Sequence, residues 1–162
     1  MRNRDRIGER GVFEKGSRSA GGKIKMLCRQ VRRSKPKGEK NAMELSVGMK
    51  KTVEQLITAE LCTKHIDPNA PGVLSTPSMI AVMEGACARA VAPALEQGVT
   101  TVGTAVNIRH LAPTVEGQSI TCEAELIEVD RRRLTFSVVV TNDKGVKIGE
   151  GTHERFLFYP KK

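Results

Sequence analysis

The spacing of apolar and polar residues predicts one strand, one long helix and then four more strands. Segment 48–57, "GMKKTVEQLI", is a predicted strand, and 58–72, which contains two prolines and a glycine, predicts a short turn of helix and a loop. A run of small and apolar residues predicts a helix from about Thr76 to about Leu95. We expect Thr76 to be the N-cap, with a proline in the first turn, and Gly98 to stop the helix.

The C-terminal part of the chain is predicted to form a meander of four strands. A charged turn, "DRRR", joins the second and third, and "NDKG" is a hairpin signal before the fourth. A lone apolar helix beside an open sheet favours a curved antiparallel sheet of about five strands wrapped around it, an α+β hot-dog fold. So small a unit leaves sheet edge and apolar face exposed, so we expect a dimer. The predicted strands are 100–112, 117–130, 133–142 and 146–159.

Charge divides the chain into two parts. The formal net charge is +9, but 14 Lys and Arg against 4 Asp and Glu fall within residues 1–42, and 43–162 carries 13 against 14. We interpret 1–42 as a disordered basic extension or an over-called start, and 43–162 as the folded domain. Two alternatives for the extension are a basic arm that binds nucleic acid without specificity and a targeting peptide, although its three early acidic residues argue against a transit peptide.

Cysteines and aromatic residues exclude several classes of function. Cys28, Cys62, Cys87 and Cys122 are widely spaced and form no CxxC pair, so we expect reduced thiols in a cytoplasmic protein rather than a metal site or a disulfide framework. The chain has no Trp and one Tyr, which argues against stacking platforms for nucleic-acid bases. No apolar run is long enough for a signal peptide or a membrane span.

A single carboxylate stands out on the predicted helix. On a helical wheel that starts at Thr76, Glu84 falls at about 80°, at the margin of the face that Met79, Met83 and Cys87 form. In one interpretation Glu84 reaches out to water or to an Arg partner. In the other it is a partly desolvated carboxylate at the rim of a pocket, with a raised pKa that suits proton transfer.

A histidine on the following strand changes the weight of these interpretations. Val106, Ile108 and His110 share one face of the strand, which points towards the helix or a subunit interface. A lone inward histidine is usually a hydrogen-bonded core residue. Together, however, His110, Glu84 and Thr76 supply the groups that acyl-transfer chemistry needs: a base, a group that orients the base, and a hydroxyl. The first-turn amides of the helix would be near, ready to stabilise an oxyanion.

Four segments carry a resemblance to a known family. "STPSMIAVMEGACARAVAP", "VGTAVNIRHLAPT", "EVDRRRLTFSV" and "IGEGTHER" resemble the fluoroacetyl-CoA thioesterases, hot-dog proteins, over 43 to about 158. The resemblance implies that Thr76, Glu84 and His110 form the catalytic set that hydrolyses an acyl-CoA. It implies that Gly103 helps to bind the thioester carbonyl and that Arg155 is a substrate-binding residue whose role stays open. It also implies a homodimer with each site between subunits.

The expected activity is hydrolysis of a short-chain acyl-CoA, with coenzyme A as part of the substrate and no metal or other cofactor. The family's fluoroacetate-specific member has a lid of phenylalanines, and the matching stretch, "IDPNAPGVLST", has no aromatic residue, which argues against fluoroacetyl specificity. One alternative is a hot-dog module that binds acyl-CoA without cleaving it; a dehydratase that acts on enoyl thioesters is a weaker one. The arginines of "DRRR" could meet the phosphates of CoA, although a solvated hairpin tip is the favoured interpretation. We expect no specific nucleic-acid partner and no membrane partner.

Overall fold

The computed structural model describes residues 44–160, so the prediction for 1–42 and the interpretation of Cys28 lie outside the described residues. The predicted order of elements is confirmed. Short 3₁₀ turns occupy Ala59–Leu61, Thr63–His65 and Ala92–Ala94. The regular elements are β1 (Lys50–Leu56), α1 (Thr76–Val91), β2 (Thr100–His110), β3 (Ser119–Asp130), β4 (Arg133–Asn142) and β5 (Lys147–Phe158).

The five strands form one antiparallel sheet in the order β1-β3-β4-β5-β2. The predicted four-stranded meander is therefore wrong, since only β3, β4 and β5 follow one another in the sheet. Strand β1 pairs along β3, with Lys50 opposite Glu125, so β2 joins the sheet at its other edge, beside β5. The sheet wraps around α1, which contacts all five strands, and the predicted hot-dog fold is confirmed.

The core lies between the helix and the concave face of the sheet. Apolar residues alternate along β4, and Leu134, Phe136, Val138 and Val140 are all fully buried. From the helix, Met79, Met83 and Cys87 meet them, as the helical wheel predicts. Burying each large apolar side chain stabilises the fold by about 1.5–3 kcal/mol, so this layer holds the helix in a fixed rotation against the sheet.

The helix begins at the predicted residue, but its cap is Ser75 rather than Thr76. Ser75 has extended backbone angles, φ −78° and ψ 148°, and its hydroxyl accepts a hydrogen bond from the backbone N–H of Ser78 at 3.2 Å. Thr76 is already the first helical residue. The sequence alone does not decide which of the two adjacent hydroxyl residues before the proline is the cap. Because Ser75 takes that role, the Thr76 side chain is free to make other contacts.

The helix ends at Val91, about one turn earlier than predicted. Pro93 has no backbone N–H to continue the helical hydrogen bonds, so the chain passes into the 3₁₀ turn Ala92–Ala94. Gly98 has φ +85° in the turn before β2, so it serves the turn and does not end the helix. Within residues 44–160 no helix has the length and apolar character needed to cross a membrane.

Candidate active site

A bulge in β2 puts two of the predicted site residues on the same face of the sheet. Gly103 and His110 are seven residues apart, and in an unbroken strand they would face opposite sides. Gly103 lies opposite Arg155 and Ala105 lies opposite Glu154, so Thr104 is an extra residue. The bulge therefore turns the rest of the strand over, and both Gly103 and His110 face the helix.

Thr76 and His110 form a hydrogen-bonded pair at the N-terminal end of the helix. Thr76 Oγ1 lies 3.0 Å from His110 Nδ1. Because Ser75 caps the helix, the Thr76 hydroxyl does not have to choose between capping and this contact. If the hydroxyl donates to Nδ1, the ring proton lies on Nε2, which is buried and has no partner among the described residues. This is the spacing of a hydroxyl and its base in nucleophilic catalysis.

The expected group of first-turn amides is largely absent. Pro77 has no N–H, and the N–H of Ser78 is already bonded to the Ser75 hydroxyl. Of the first three helical residues only Thr76 keeps an amide that these contacts do not use. The prediction that several first-turn amides stabilise an oxyanion is therefore wrong.

Glu84 and Arg155 form a second polar group, about two helical turns from Thr76. Arg155 Nη1 donates to Glu84 Oε1 at 3.0 Å, and the same guanidinium donates to the Thr101 hydroxyl at 2.8 Å and to the Thr101 carbonyl at 2.7 Å. Arg155 is 4% exposed, whereas the side chain of Glu84 is 43% exposed. A buried guanidinium, each of whose three nitrogens donates a hydrogen bond, thus holds a carboxylate that still reaches solvent.

The pKa of Glu84 is lowered, so the rise expected in the pocket interpretation is wrong, whereas the Arg partner and the exposure expected in the other interpretation are both present. Burial alone would raise this pKa, but the hydrogen bond and the positive charge of Arg155, with a smaller effect of His153, outweigh it. Glu84 is therefore ionised at neutral pH. An ionised carboxylate can accept a proton or attack a carbonyl carbon, but it cannot act as a general acid.

Next to this carboxylate lies His153, to which the sequence analysis assigned no role. His153 is completely buried, and its Nε2 lies 3.7 Å from Glu84 Oε2, beyond hydrogen-bond distance. Burial lowers the pKa of His153 despite the nearby carboxylate, so the ring is neutral at neutral pH. The signal was available in "GTHER", because His153 lies two residues before Arg155 and alternation puts both on the inner face.

The structure gives a steric reason for glycine at position 103. A Cβ built on Gly103 would lie 2.7 Å from Glu84 Oε1 and 3.1 Å from His153 Cε1. Any side chain here would push the carboxylate off its place. The position that the family resemblance assigned to carbonyl binding thus also makes room for the Glu84 group.

Within one chain the structure does not bring Glu84 to His110. The two polar groups, Thr76–His110 and Glu84–Arg155–His153, lie on the same inner layer but at different places along it. Thr76 and Glu84 are eight positions apart on the helix, which corresponds to about 12 Å along its axis. All five predicted site residues belong to one of these groups or border it, but a single chain leaves the groups apart.

The arginines of the "DRRR" turn are largely engaged within the chain. Arg133 lies 3.3 Å from Asp130 in an ion pair, and Arg132 donates to the Leu157 carbonyl at 2.6 Å. The Arg132 guanidinium also lies over two aromatic rings, 4.8 Å from the centre of one and 5.1 Å from the other. These contacts agree with a structural hairpin tip, the favoured interpretation.

A cleft of about 390 Å³ at the C-terminal end of the helix borders Arg89 and Thr101 and contains none of the five predicted site residues. Among residues 44–160, no three His, Cys, Asp or Glu side chains are close enough to hold a metal ion. Cys62, Cys87 and Cys122 are buried free thiols.

The family model, the similar protein of known function and the similar solved structures all point to one family. Residues 57–160 match the family model described as fluoroacetyl-CoA-specific thioesterase. The fluoroacetyl-CoA thioesterase of Streptantibioticus cattleyicolor is 36% identical over 124 residues, which are 73% of this chain and 88% of that protein.

Solved structures agree. A structure of the fluoroacetyl-CoA thioesterase has a TM-score of 0.68 at 35% identity and covers 72% of this chain and 90% of that chain. A variant of the fluoroacetyl-CoA-specific thioesterase in complex with fluoroacetate and CoA has a TM-score of 0.64 at 36% identity, covering 71% of this chain and 96% of that chain.

Proposed function

The chain belongs to the fluoroacetyl-CoA-specific thioesterase family, and on this premise we propose that it hydrolyses a short-chain acyl-CoA to the free acid and CoA. Membership confirms the family resemblance, the hot-dog fold and the thioester hydrolase class predicted from the sequence. The observation that carries the proposed mechanism is the 3.0 Å contact between Thr76 Oγ1 and His110 Nδ1. A threonine hydroxyl attacks poorly unless a base removes its proton, and His110 is in hydrogen-bond reach of that proton.

In the proposed reaction His110 accepts the Thr76 proton as Oγ1 attacks the thioester carbonyl carbon. The CoA thiolate leaves and takes up a proton, and water then releases the acid from Thr76. Glu84 acts in its ionised form, because Arg155 lowers its pKa, and it faces the same substrate as a proton acceptor for water. No metal or other cofactor takes part, and coenzyme A is a portion of the substrate.

We propose that the site is completed in a homodimer. Strand β2 is an edge strand, and its exposed Val102 and Val106 are 46% and 43% accessible in the single chain. An antiparallel pairing of two β2 edges about an axis at residue 107 puts residue 105 of one chain opposite residue 109 of the other. Because Thr104 is the extra residue of the bulge, Gly103 then lies opposite residue 110 of the other chain, on the same face of the sheet. Glu84, which borders Gly103, would then approach the other subunit's Thr76–His110 pair.

The substrate class follows from the loop ahead of the helix. The stretch 66–76 has no aromatic side chain, and Ile66 within it is 65% exposed. This stretch therefore provides no phenylalanine lid over the acyl group. The absence of that lid supports a substrate with a short acyl group other than fluoroacetyl. The buried free thiols, such as Cys87 and Cys122, support a cytoplasmic location.

The test is release of free thiol from a panel of short acyl-CoAs that includes acetyl-, propionyl- and fluoroacetyl-CoA. We expect turnover of an unfluorinated ester, and loss of that turnover in Thr76→Ala, Glu84→Gln and His110→Ala without loss of folding by circular dichroism. A wild-type protein that releases no thiol from any member of the panel would refute the proposal.

A non-catalytic binding module is the alternative. Its support is the aromatic-free loop, which departs from the fluoroacetate-specific pattern. Isothermal titration calorimetry separates the two functions. Tight binding of an acyl-CoA with no thiol release over hours favours the binding module, whereas heat from continuing turnover favours the hydrolase.

A further inference from the structure

His153 is a buried titratable side chain that the proposed mechanism does not use. It is fully buried, and neither Nδ1 nor Nε2 has a hydrogen-bond partner among the described residues. Buried polar atoms without partners are rare in folded proteins because each forfeits the hydrogen bonds it made with water. A valine or phenylalanine would fill this position without that penalty, so the presence of an imidazole here suggests a role other than packing.

The surroundings of the ring supply one acceptor. His153 Nε2 lies 3.7 Å from Glu84 Oε2, while the other oxygen, Oε1, is bonded to Arg155. Because Gly103 has no side chain, no Cβ from strand β2 stands against this carboxylate. A shift of less than about 1 Å brings Oε2 into the 2.7–3.2 Å range of an N–H···O bond.

We propose that His153 is a positioning residue whose Nε2–H donates to Glu84 Oε2 when acyl-CoA occupies the site. Arg155 then holds one carboxylate oxygen and His153 holds the other, which fixes the plane of the carboxylate towards the thioester. A carboxylate has about four acceptor sites on its two oxygens, so those that remain stay available to water. The inference rests on the proposed function, since it assigns His153 to the same reaction.

Burial and the charges around the ring favour its neutral form, and the nearby Glu84 oxygen lies on the Nε2 side. The helix contributes the carboxylate of Glu84, which favours a charge on the ring but does not outweigh the effect of burial. Strand β5 contributes the cation of Arg155, which opposes a charge on the ring. Strand β2 contributes Gly103, which carries no charge. A neutral Nε2–H donor satisfies Glu84 without a second cation beside Arg155.

Two amide substitutions separate positioning from packing. In His153→Gln the amide nitrogen reaches the place of Nε2, whereas in His153→Asn it reaches only the place of Nδ1. We expect the Gln variant to keep kcat/KM within about 3-fold of wild type and the Asn variant to lose about 10-fold or more, because a hydrogen bond to a charged group is lost. The acidic limb of kcat, which reports the ionisation of Glu84 in the enzyme–substrate complex, should move to higher pH in the Asn variant alone.

Equal activity and equal acidic limbs in the two variants would overturn the inference. If neither variant folds, nitrogen-15 NMR of the wild-type imidazole decides the question. The inference requires a neutral ring protonated at Nε2 at pH 7 with CoA bound, and a ring that is cationic or protonated at Nδ1 overturns it. A wild type inactive on the acyl-CoA panel refutes the proposed function, whereas an active wild type with a wrong tautomer refutes only the role of His153.

Discussion

Replacing Gly103 by alanine tests whether the Glu84 carboxylate must lie where the structure places it. The new Cβ would stand 2.7 Å from Glu84 Oε1, and ordinary contact begins at 3.4 Å, so the carboxylate must move by at least about 0.7 Å. Arg155 cannot follow, because two bonds to Thr101 fix its guanidinium. The 3.0 Å bond between Arg155 and Glu84 is therefore lost or badly strained.

The effect on stability should be small and the effect on activity large. A bond to a charged group contributes about 1.5–3 kcal/mol, but the half-exposed Glu84 side chain can regain water, which reduces the loss to about 1 kcal/mol. Alanine in place of glycine in a strand returns about 0.5–1 kcal/mol. A misplacement of about 1 Å in a reacting group lowers rates by up to about 100-fold, so we expect kcat/KM to fall about 10- to 100-fold.

The assay pairs urea unfolding with thiol release from the best acyl-CoA of the panel. Gly85→Ala is the matched control, because its Cβ would meet Arg89 at an ordinary 3.5 Å and alanine favours a helix by about 1 kcal/mol. The control should be more stable and fully active. A Gly103→Ala protein with wild-type kcat/KM would refute the reasoning about Glu84.

Three other predictions use the same measurements. Ser75→Ala should lower the free energy of unfolding by about 1 kcal/mol through loss of the helix cap, whereas Thr76→Ala, which removes no cap, should abolish activity with a smaller change. The pKa of Glu84 is lowered in the folded protein, so its stabilising contribution is complete above the ordinary value of 4.5 and is lost as the pH falls through the folded value. Urea unfolding of wild type and Glu84→Gln should therefore differ less below pH 4.5 than at pH 7; an unchanged difference would contradict this assignment. Val106→Glu should convert a dimer into an inactive monomer by native mass spectrometry, because a two-fold axis duplicates the charge, whereas Val129→Glu, at a similarly exposed valine, should not.

The elements of the fold could be predicted because their signals are local. Two-residue alternation marks the strands, and a run of small and apolar residues marks the helix. The place of β2 could not be predicted in the same way. Strand β2 pairs with β5 rather than with β3 because β1 already occupies the other edge of β3. The β1–β3 pairing joins segments that are far apart in the sequence, so local patterns do not reveal it.

The candidate residues could also be found, but not their grouping. Thr76 and His110 meet as expected. The partners of Glu84 could not be read from the helix, because they depend on the bulge at Thr104 and on which residues of β5 face inward. For this reason the pocket interpretation, which considered burial alone, gave the wrong direction for the Glu84 pKa shift. The other interpretation expected an Arg partner, but the helical wheel could not identify it as Arg155.

In the proposed dimer, each site combines Thr76 and His110 of one subunit with Glu84 of the other. Mixed dimers test it most directly. Thr76→Ala and Glu84→Gln proteins, each inactive, are refolded together from a denatured equal mixture. Half of the dimers then carry one chain of each kind, and a composite arrangement gives each of these one wild-type site, or about a quarter of wild-type activity.

The matched control mixes Thr76→Ala with His110→Ala, which lie in the same half of the site and should recover nothing. We expect recovery of about a quarter of wild-type activity in the first mixture and none in the control. An active wild type whose first mixture stays as inactive as its parents, although native mass spectrometry shows the mixed dimers, would contradict it.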